Sequence, residues 1–197
     1  DNSEYLFNLG NIYYYGQGIE QNYSKARKYY EYSASLNNSK AICQLGLFYE
    51  KGKGVEQDFC KAKELYELSA EQNNPDAFFK LGKLYEKGIF SDLQHQSQQE
   101  LSEISITYIS IYTMLPRSNC IIVDYSKAKE YYELAAKQNN SKALFKLGLF
   151  NEEGKGVQKN YYKSIEYYEL SAKQNNPKAL FKLGIKRNYL DSKKLYD

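Results

Sequence analysis

The chain has 197 residues, a length that suits one or two globular domains or one short solenoid. Its 27 lysine and arginine residues nearly balance its 24 aspartate and glutamate residues, and the net charge of +3 is too small to indicate nucleic-acid binding. No apolar run reaches the length of a membrane-spanning helix, so we expect no membrane partner. Cys43, Cys60 and Cys120 share no metal-ligand spacing and favour a reducing compartment over a disulfide-built secreted domain.

A Leu-Gly pair recurs five times along the chain. Gly10, Gly46 and Gly82 follow one another at steps of 36 residues, and Gly148 and Gly184 are again 36 residues apart. A fixed period of this size indicates a repeat architecture. Such repeats build extended binding surfaces rather than catalytic pockets.

The unit from residue 40 to residue 75 begins with a predicted helix. Ala41, Leu45 and Phe48 form one apolar stripe at helical spacing. Gly52 follows the stripe, where a glycine can adopt the positive φ that commonly ends a helix. Gly46 lies inside the helix at a cost of about 1 kcal/mol relative to alanine, so its recurrence predicts close approach of a neighbouring helix. We expect that neighbour to present the small-residue column Ala26, Ala62, Ala128 and Ser164.

A second helix completes the unit. Asp58 occupies the predicted N-cap position, and its equivalents in the other units are Asn22, Asp124 and Asn160. Ala62, Tyr66 and Ala70 then form a second helical stripe. Asn74 is expected to cap the following helix, with Pro75 at its first position. Each unit is therefore a predicted helix–turn–helix hairpin that must stack on its neighbours to bury its apolar stripe.

These columns resemble the Sel-one-like repeat (SLR), a relative of the tetratricopeptide repeat. The matching residues are Ala41, Leu45, Gly46, Tyr49, Gly52, Gly54, Val55, Asp58, Lys61, Ala62, Tyr66 and Ala70. The resemblance covers four units and the first half of another. It implies an all-α fold, a right-handed α-α superhelix (solenoid) of stacked antiparallel helix hairpins, and a role as scaffold or adaptor. Two departures are Asn151, where the family has tyrosine, and Cys43, where the other units have phenylalanine.

We predict a single repeat domain over residues 1–197. Its repeats are expected at 4–39, 40–75, 76–141 and 142–177, followed by a partial repeat at 178–197. The chain stops within a repeat, so we expect it to belong to a longer protein and expect this end of the array to fray or associate.

The third repeat is interrupted. Gly82 and Gly148 are 66 residues apart, which leaves 30 extra residues. One interpretation is a loop insertion at about 89–120, and loops of this length are often functional or disordered. The other is a worn repeat whose second helix starts at Asp92, while a translated non-coding stretch is a third alternative. The β-branched residues 104–112 and Pro116 disfavour a helix, so we favour the loop.

Catalytic chemistry has little support in the sequence. The single histidine, His95, lies within the insertion and has no partner at ligand spacing. The Gly52-Lys53-Gly54 turn lacks the further glycine and the Lys-Ser/Thr pair of a phosphate-binding loop. We predict a protein that is not an enzyme and has no cofactor, no metal and no small-molecule substrate. The expected location is cytoplasmic, with the lumen of the endoplasmic reticulum as the alternative.

The resemblance implies that the first helices line a concave surface. We expect an aromatic column beside a lysine column to bind an extended or helical peptide of acidic character. The alternative is that the aromatic residues pack between repeats and the lysines are solvated. The candidate site residues are Phe7, Phe79, Lys80, Lys83, Phe145, Lys146, Leu149, Phe181 and Lys182.

The sequence leaves three functions open. The first is a non-enzymatic scaffold or adaptor that binds a protein or peptide through the concave face. The second is the regulatory repeat array of a larger signalling protein, such as a kinase-containing chain. The third is a stand-alone enzyme, which would need an acid, base or metal constellation that the sequence does not show.

Overall fold

The computed structural model describes residues 2–90 and 120–185. Paired α-helices make up most of these residues, and one short antiparallel strand pair accompanies them. The elements are α1 (Asn2–Tyr15), α2 (Tyr23–Ser35), α3 (Ser39–Lys51), α4 (Phe59–Glu71), α5 (Pro75–Lys87), β1 (Ile89–Phe90), β2 (Cys120–Ile121), α6 (Tyr125–Lys137), α7 (Ser141–Glu153) and α8 (Tyr161–Ala172). Residues 177–185 are also helical and form α9. The all-α prediction is therefore confirmed.

The helix ends form where the sequence predicts them. The Asp58 side chain accepts a hydrogen bond from the backbone N–H of Lys61, and Asn22, Asp124 and Asn160 cap their helices in the same way. The Asn74 side chain accepts from the N–H groups of Asp76 and Ala77. Gly52 ends α3 at φ 63°, in the left-handed region. These local contacts set where each hairpin turns.

Each first helix packs against the second helix of its own repeat, which gives the pairs α1–α2, α3–α4, α5–α6 and α7–α8. The second helices α2, α4 and α6 also pack against α3, α5 and α7, the first helices of the next repeats. The core therefore runs along the stack, with Tyr30, Tyr66, Tyr132 and Tyr168 among its fully buried side chains. Burial of apolar area between neighbours is what stabilises a repeat array.

The recurrent glycines allow a tyrosine ring to lie against the first helix. A Cβ added at Gly46 would lie 2.6 Å from Cε1 of Tyr66 and 3.2 Å from the carbonyl oxygen of Ala62. Gly10 and Gly82 meet Tyr30 and Tyr132 at 2.6 Å in the same way. The predicted close approach is confirmed, but the nearest group is the tyrosine ring and not the alanine side chain that we expected.

The third repeat keeps this arrangement across its interruption. The backbone N–H of Asp124 donates to the carbonyl of Tyr85 at 2.9 Å, as Asp58 does to Tyr49 at 3.0 Å in the second repeat. Strands β1 and β2, which the sequence did not predict, pair Ile89 with Ile121 and Phe90 with Cys120.

Several predictions fall on residues 91–119, which lie outside the described residues. They are the loop insertion beyond its two ends, the helix proposed to start at Asp92, the β-branched segment 104–112 with Pro116, and the loop position of His95. The repeat boundaries stay predictions.

The last described helix, α9, differs from the other first helices in its surroundings. No atom of the described residues would lie within 4 Å of a Cβ added at Gly184. Leu180, Phe181 and Ile185 are 52%, 70% and 52% exposed. The predicted fraying of this end concerns residues 186–197 as well, and these lie outside the described residues.

Candidate functional site

The first helices line a groove along the concave side of the stack. The cavity has a volume of about 1210 Å³ and is lined from α1, α3, α5, α7 and the start of α9, and from the turns that precede α5 and α9. Seven of the nine candidate residues line it: Phe7, Phe79, Lys80, Lys83, Phe145, Lys146 and Leu149. Phe181 and Lys182, on α9, do not line this cavity.

The phenylalanine column is shared between the core and the groove. Phe79 packs against the buried ring of Tyr132 at a centroid distance of 5.7 Å, and Phe145 against Tyr168 at 5.6 Å. Phe7 makes the same contact with Tyr30 at 5.7 Å. These phenylalanines are only partly buried, so one side of each ring contacts its own repeat while the side chain also lines the groove.

The lysine column takes part in ion pairs between repeats. Lys80 lies 3.1 Å from Oε2 of Glu50, and Lys146 lies 2.8 Å from Oε1 of Glu86. Lys182 contacts Glu152 in the same way at 3.0 Å. In each pair the lysine belongs to the repeat that follows the glutamate.

The same glutamates accept a hydrogen bond from the buried tyrosines. The hydroxyl of Tyr66 donates to Glu50 at 2.6 Å, and Tyr132 and Tyr168 donate to Glu86 and Glu152. The result is a repeated tyrosine–glutamate–lysine contact, which we call the interrepeat triad.

The contact in the second repeat sets the ionisation of Glu50 and Tyr66. Burial alone would raise the pKa of Glu50, but the Lys80 charge and the Tyr66 hydroxyl lower it to about 2. Burial, followed by the nearby carboxylate, raises the pKa of the Tyr66 hydroxyl far above its ordinary value. The glutamate is therefore an anion and the tyrosine a neutral donor at neutral pH.

The first junction lacks the triad. Tyr14 and Gln44 occupy the positions of the glutamate and the lysine, and the hydroxyl of Tyr30 donates instead to Asn11 at 2.8 Å. Lys53 donates to the Tyr14 hydroxyl at 3.0 Å. Within the part of the chain that the structure describes, the buried Oε1 of Gln44 has no hydrogen-bond partner.

Cys43 stands in the phenylalanine column and contributes a small buried side chain to the groove wall. Burial, with the Asp76 and Glu50 carboxylates adding to it, raises the pKa of its thiol to about 12. The group is therefore a neutral thiol at this position and packs as a small apolar residue.

The helical repeats match a known protein family. The Sel1 repeat family model matches residues 3–38, 39–74, 75–95, 117–140 and 141–176. The chain belongs to the Sel1 repeat family. A search of curated proteins gives no match.

Several solved structures share the fold. A Sel1 repeat protein from Oxalobacter formigenes is 28% identical, with a TM-score of 0.67 over 90% of this chain and 60% of that one. A protective antigen of uropathogenic Escherichia coli that displays an SLR fold is 23% identical, with a TM-score of 0.68 over 93% of this chain and 33% of that one. Cysteine rich protein B of Helicobacter pylori is 20% identical, with a TM-score of 0.51 over 80% of this chain and 91% of that one.

This Sel1 repeat array thus spans 60% and 33% of the length of the first two structures. In residues 2–90 and 120–185, no group of three or more His, Cys, Asp or Glu side chains is placed to hold a metal ion. No helix in these residues is long and apolar enough to cross a membrane.

Seven of the nine residues selected from the sequence line the groove, but the sequence reasoning missed the interrepeat triad. The signal was present, because Glu50, Glu86 and Glu152 share one position in their repeats. The sequence predicts solvated or ligand-binding charges for the lysine column, whereas the structure places Lys80 and Lys146 against carboxylates of the preceding repeats.

Proposed function

We propose that this Sel1 repeat array is a non-enzymatic scaffold that binds a peptide segment of a protein partner in its concave groove. The observation that carries the proposal is that Phe7, Phe79 and Phe145, which are only partly buried, line one continuous groove. The groove is larger than a usual small-molecule pocket of about 300–1,000 Å³, and its length along the stack suits a linear peptide.

The packing of the phenylalanines supports this role. Phe79 and Phe145 are held against buried tyrosine rings, so their exposed sides are positioned before a ligand arrives. Little side-chain freedom is then lost when a ligand packs against them, and preorganisation of this kind favours affinity. Aromatic residues are also enriched among the side chains that dominate binding energy.

The test starts with peptides selected from a random display library on the purified array. Phe145→Ala is expected to weaken binding of the selected peptides by about tenfold or more, because large aromatic side chains often carry over 1 kcal/mol at an interface. Tyr162→Ala is the matched control, since Tyr162 is 89% exposed and does not line the groove. Affinity is measured by titration calorimetry, and helicity and melting temperature by circular dichroism.

Two outcomes separate the proposal from its alternative. Lost binding with the helicity retained supports a binding groove. Unchanged binding with a lower melting temperature would show that Phe145 serves packing alone.

A further inference from the structure

Lys83 differs from every other candidate residue in its surroundings. It lies on α5, one turn after Phe79, and lines the groove. Leu47 and Leu149 hold the equivalent position in the second and fourth repeats and line the same groove. Along the groove, a lysine in the third repeat therefore lies between leucines of the second and fourth repeats, and it is half-buried.

The other lysines of the groove are paired or exposed. Lys40, Lys80 and Lys146 form ion pairs with Glu4, Glu50 and Glu86 at 2.8–3.1 Å. Lys142 and Lys178 are exposed to solvent. Lys83 is half-buried, and no carboxylate of the described residues lies within 4.0 Å of its ammonium group.

The charges of the described residues leave Lys83 uncompensated. Burial lowers the pKa of the Lys83 ammonium, and Lys80, Lys87 and Lys51 lower it further, while Glu50 opposes them. Glu50 is already engaged by Tyr66 and Lys80. A half-buried cation without a close anion gains more from an incoming carboxylate than a solvated lysine does.

The groove offers little acidic charge of its own. Asp76 is the acidic residue among the lining residues, and its carboxylate already accepts a hydrogen bond from Asn140 at 3.1 Å. Lysines outnumber acidic residues in the groove lining, so the groove is complementary in charge to an anionic ligand and disfavours a cationic one.

We propose that the peptide partner carries one acidic side chain that pairs with Lys83, flanked on both sides by apolar side chains that lie against Leu47 and Leu149. This inference rests on the proposed peptide-binding function. The complementary segment therefore carries an acidic residue between two apolar residues.

The test uses peptides selected on the array, acetylated at the N-terminus and amidated at the C-terminus so that only side chains supply carboxylates. Lys83→Leu places in the third repeat the residue that its neighbours carry, so its melting temperature is expected to be equal or higher. Binding of an acidic peptide is expected to weaken by about tenfold or more. The matched control is Lys163→Leu, which removes an exposed lysine of α8 that does not line the groove and is expected to change binding less than threefold.

A double-mutant cycle isolates the contact. Changing the acidic residue of the peptide to its amide is expected to weaken binding to the wild-type array and to leave binding to Lys83→Leu unchanged. Equal loss in both arrays would overturn the inference, as would selected peptides without an enriched acidic position.

The two proposals fail in different ways. If selected peptides require Phe145 but bind Lys83→Leu as tightly as wild type, the groove binds peptides and the Lys83 contact is wrong. If Phe145→Ala binds as tightly as wild type, the groove itself is wrong, and the Lys83 inference falls with it.

Discussion

The glycine–tyrosine contact between paired helices leads to a specific stability prediction. Gly82→Ala adds a methyl group at a position 2.6 Å from Cε1 of Tyr132 and 3.1 Å from the carbonyl oxygen of Ala128. Carbon atoms in good contact lie about 3.5–4.0 Å apart, so the ring or the helix must move by almost 1 Å. Tyr132 is fully buried, which leaves its ring no open side toward which to move.

The expected magnitude combines two opposite effects. Overpacking of a core costs about 1–3 kcal/mol, and the upper end applies here because both a ring and a backbone carbonyl obstruct the methyl group. Replacing a helical glycine by alanine stabilises the helix by about 1 kcal/mol. The net loss is about 2 kcal/mol, which lowers the melting temperature of a chain of this size by about 4–8 °C.

The assay is thermal melting followed by circular dichroism, with three variants side by side. Gly46→Ala tests the same contact in an uninterrupted repeat, where the added Cβ would lie 2.6 Å from Cε1 of Tyr66. Gly184→Ala is the control, because no atom of the described residues lies within 4 Å of its Cβ. We expect that control to melt at the same temperature or slightly higher.

The reasoning is refuted if Gly82→Ala melts at or above the wild-type temperature. If only Gly46→Ala destabilises, the pairing of α5 with α6 across the interruption is wrong. If Gly184→Ala destabilises as strongly as the other two, the loss comes from the helix backbone and not from the tyrosine contact.

Two further predictions concern pH and packing. The pKa of Glu50 lies at about 2, below its ordinary value of 4.5, so its stabilisation is present above about pH 4.5 and is lost as the pH falls toward 2. Between pH 6 and pH 2 the melting temperature of Glu50→Gln should therefore fall less steeply than that of the wild type, and parallel slopes would contradict this. Asn151→Tyr should add about 1 kcal/mol of stability by stacking on Tyr167, as Tyr85 stacks on Tyr131 at 5.6 Å. A lower melting temperature would show that the buried Asn151, bonded to the Leu147 carbonyl, cannot be replaced.

The hairpins, their caps and their period could be predicted from the sequence. Each depends on residues a few positions apart: the Asp58 cap acts on the N–H of Lys61, and Gly52 ends the helix that directly precedes it. Such contacts form within one turn of chain, so residue type and spacing are enough to predict them. The repetition of the pattern then implies that the hairpins stack, because no single hairpin buries its own apolar stripe.

Whether each charged groove residue forms an ion pair could be seen only in the tertiary structure. Lys80 and Lys83 are three residues apart on one helix and look alike in the sequence, yet Lys80 pairs with Glu50 while Lys83 has no carboxylate of the described residues within ion-pair distance. Glu50 lies 30 residues before Lys80 and 16 before Tyr66, so the contact exists only after the hairpins have stacked. Ion pairing depends on distances of a few ångströms between side chains from different repeats. The sequence therefore determines which residues face the groove, and the stacking decides which of their charges are neutralised within the fold.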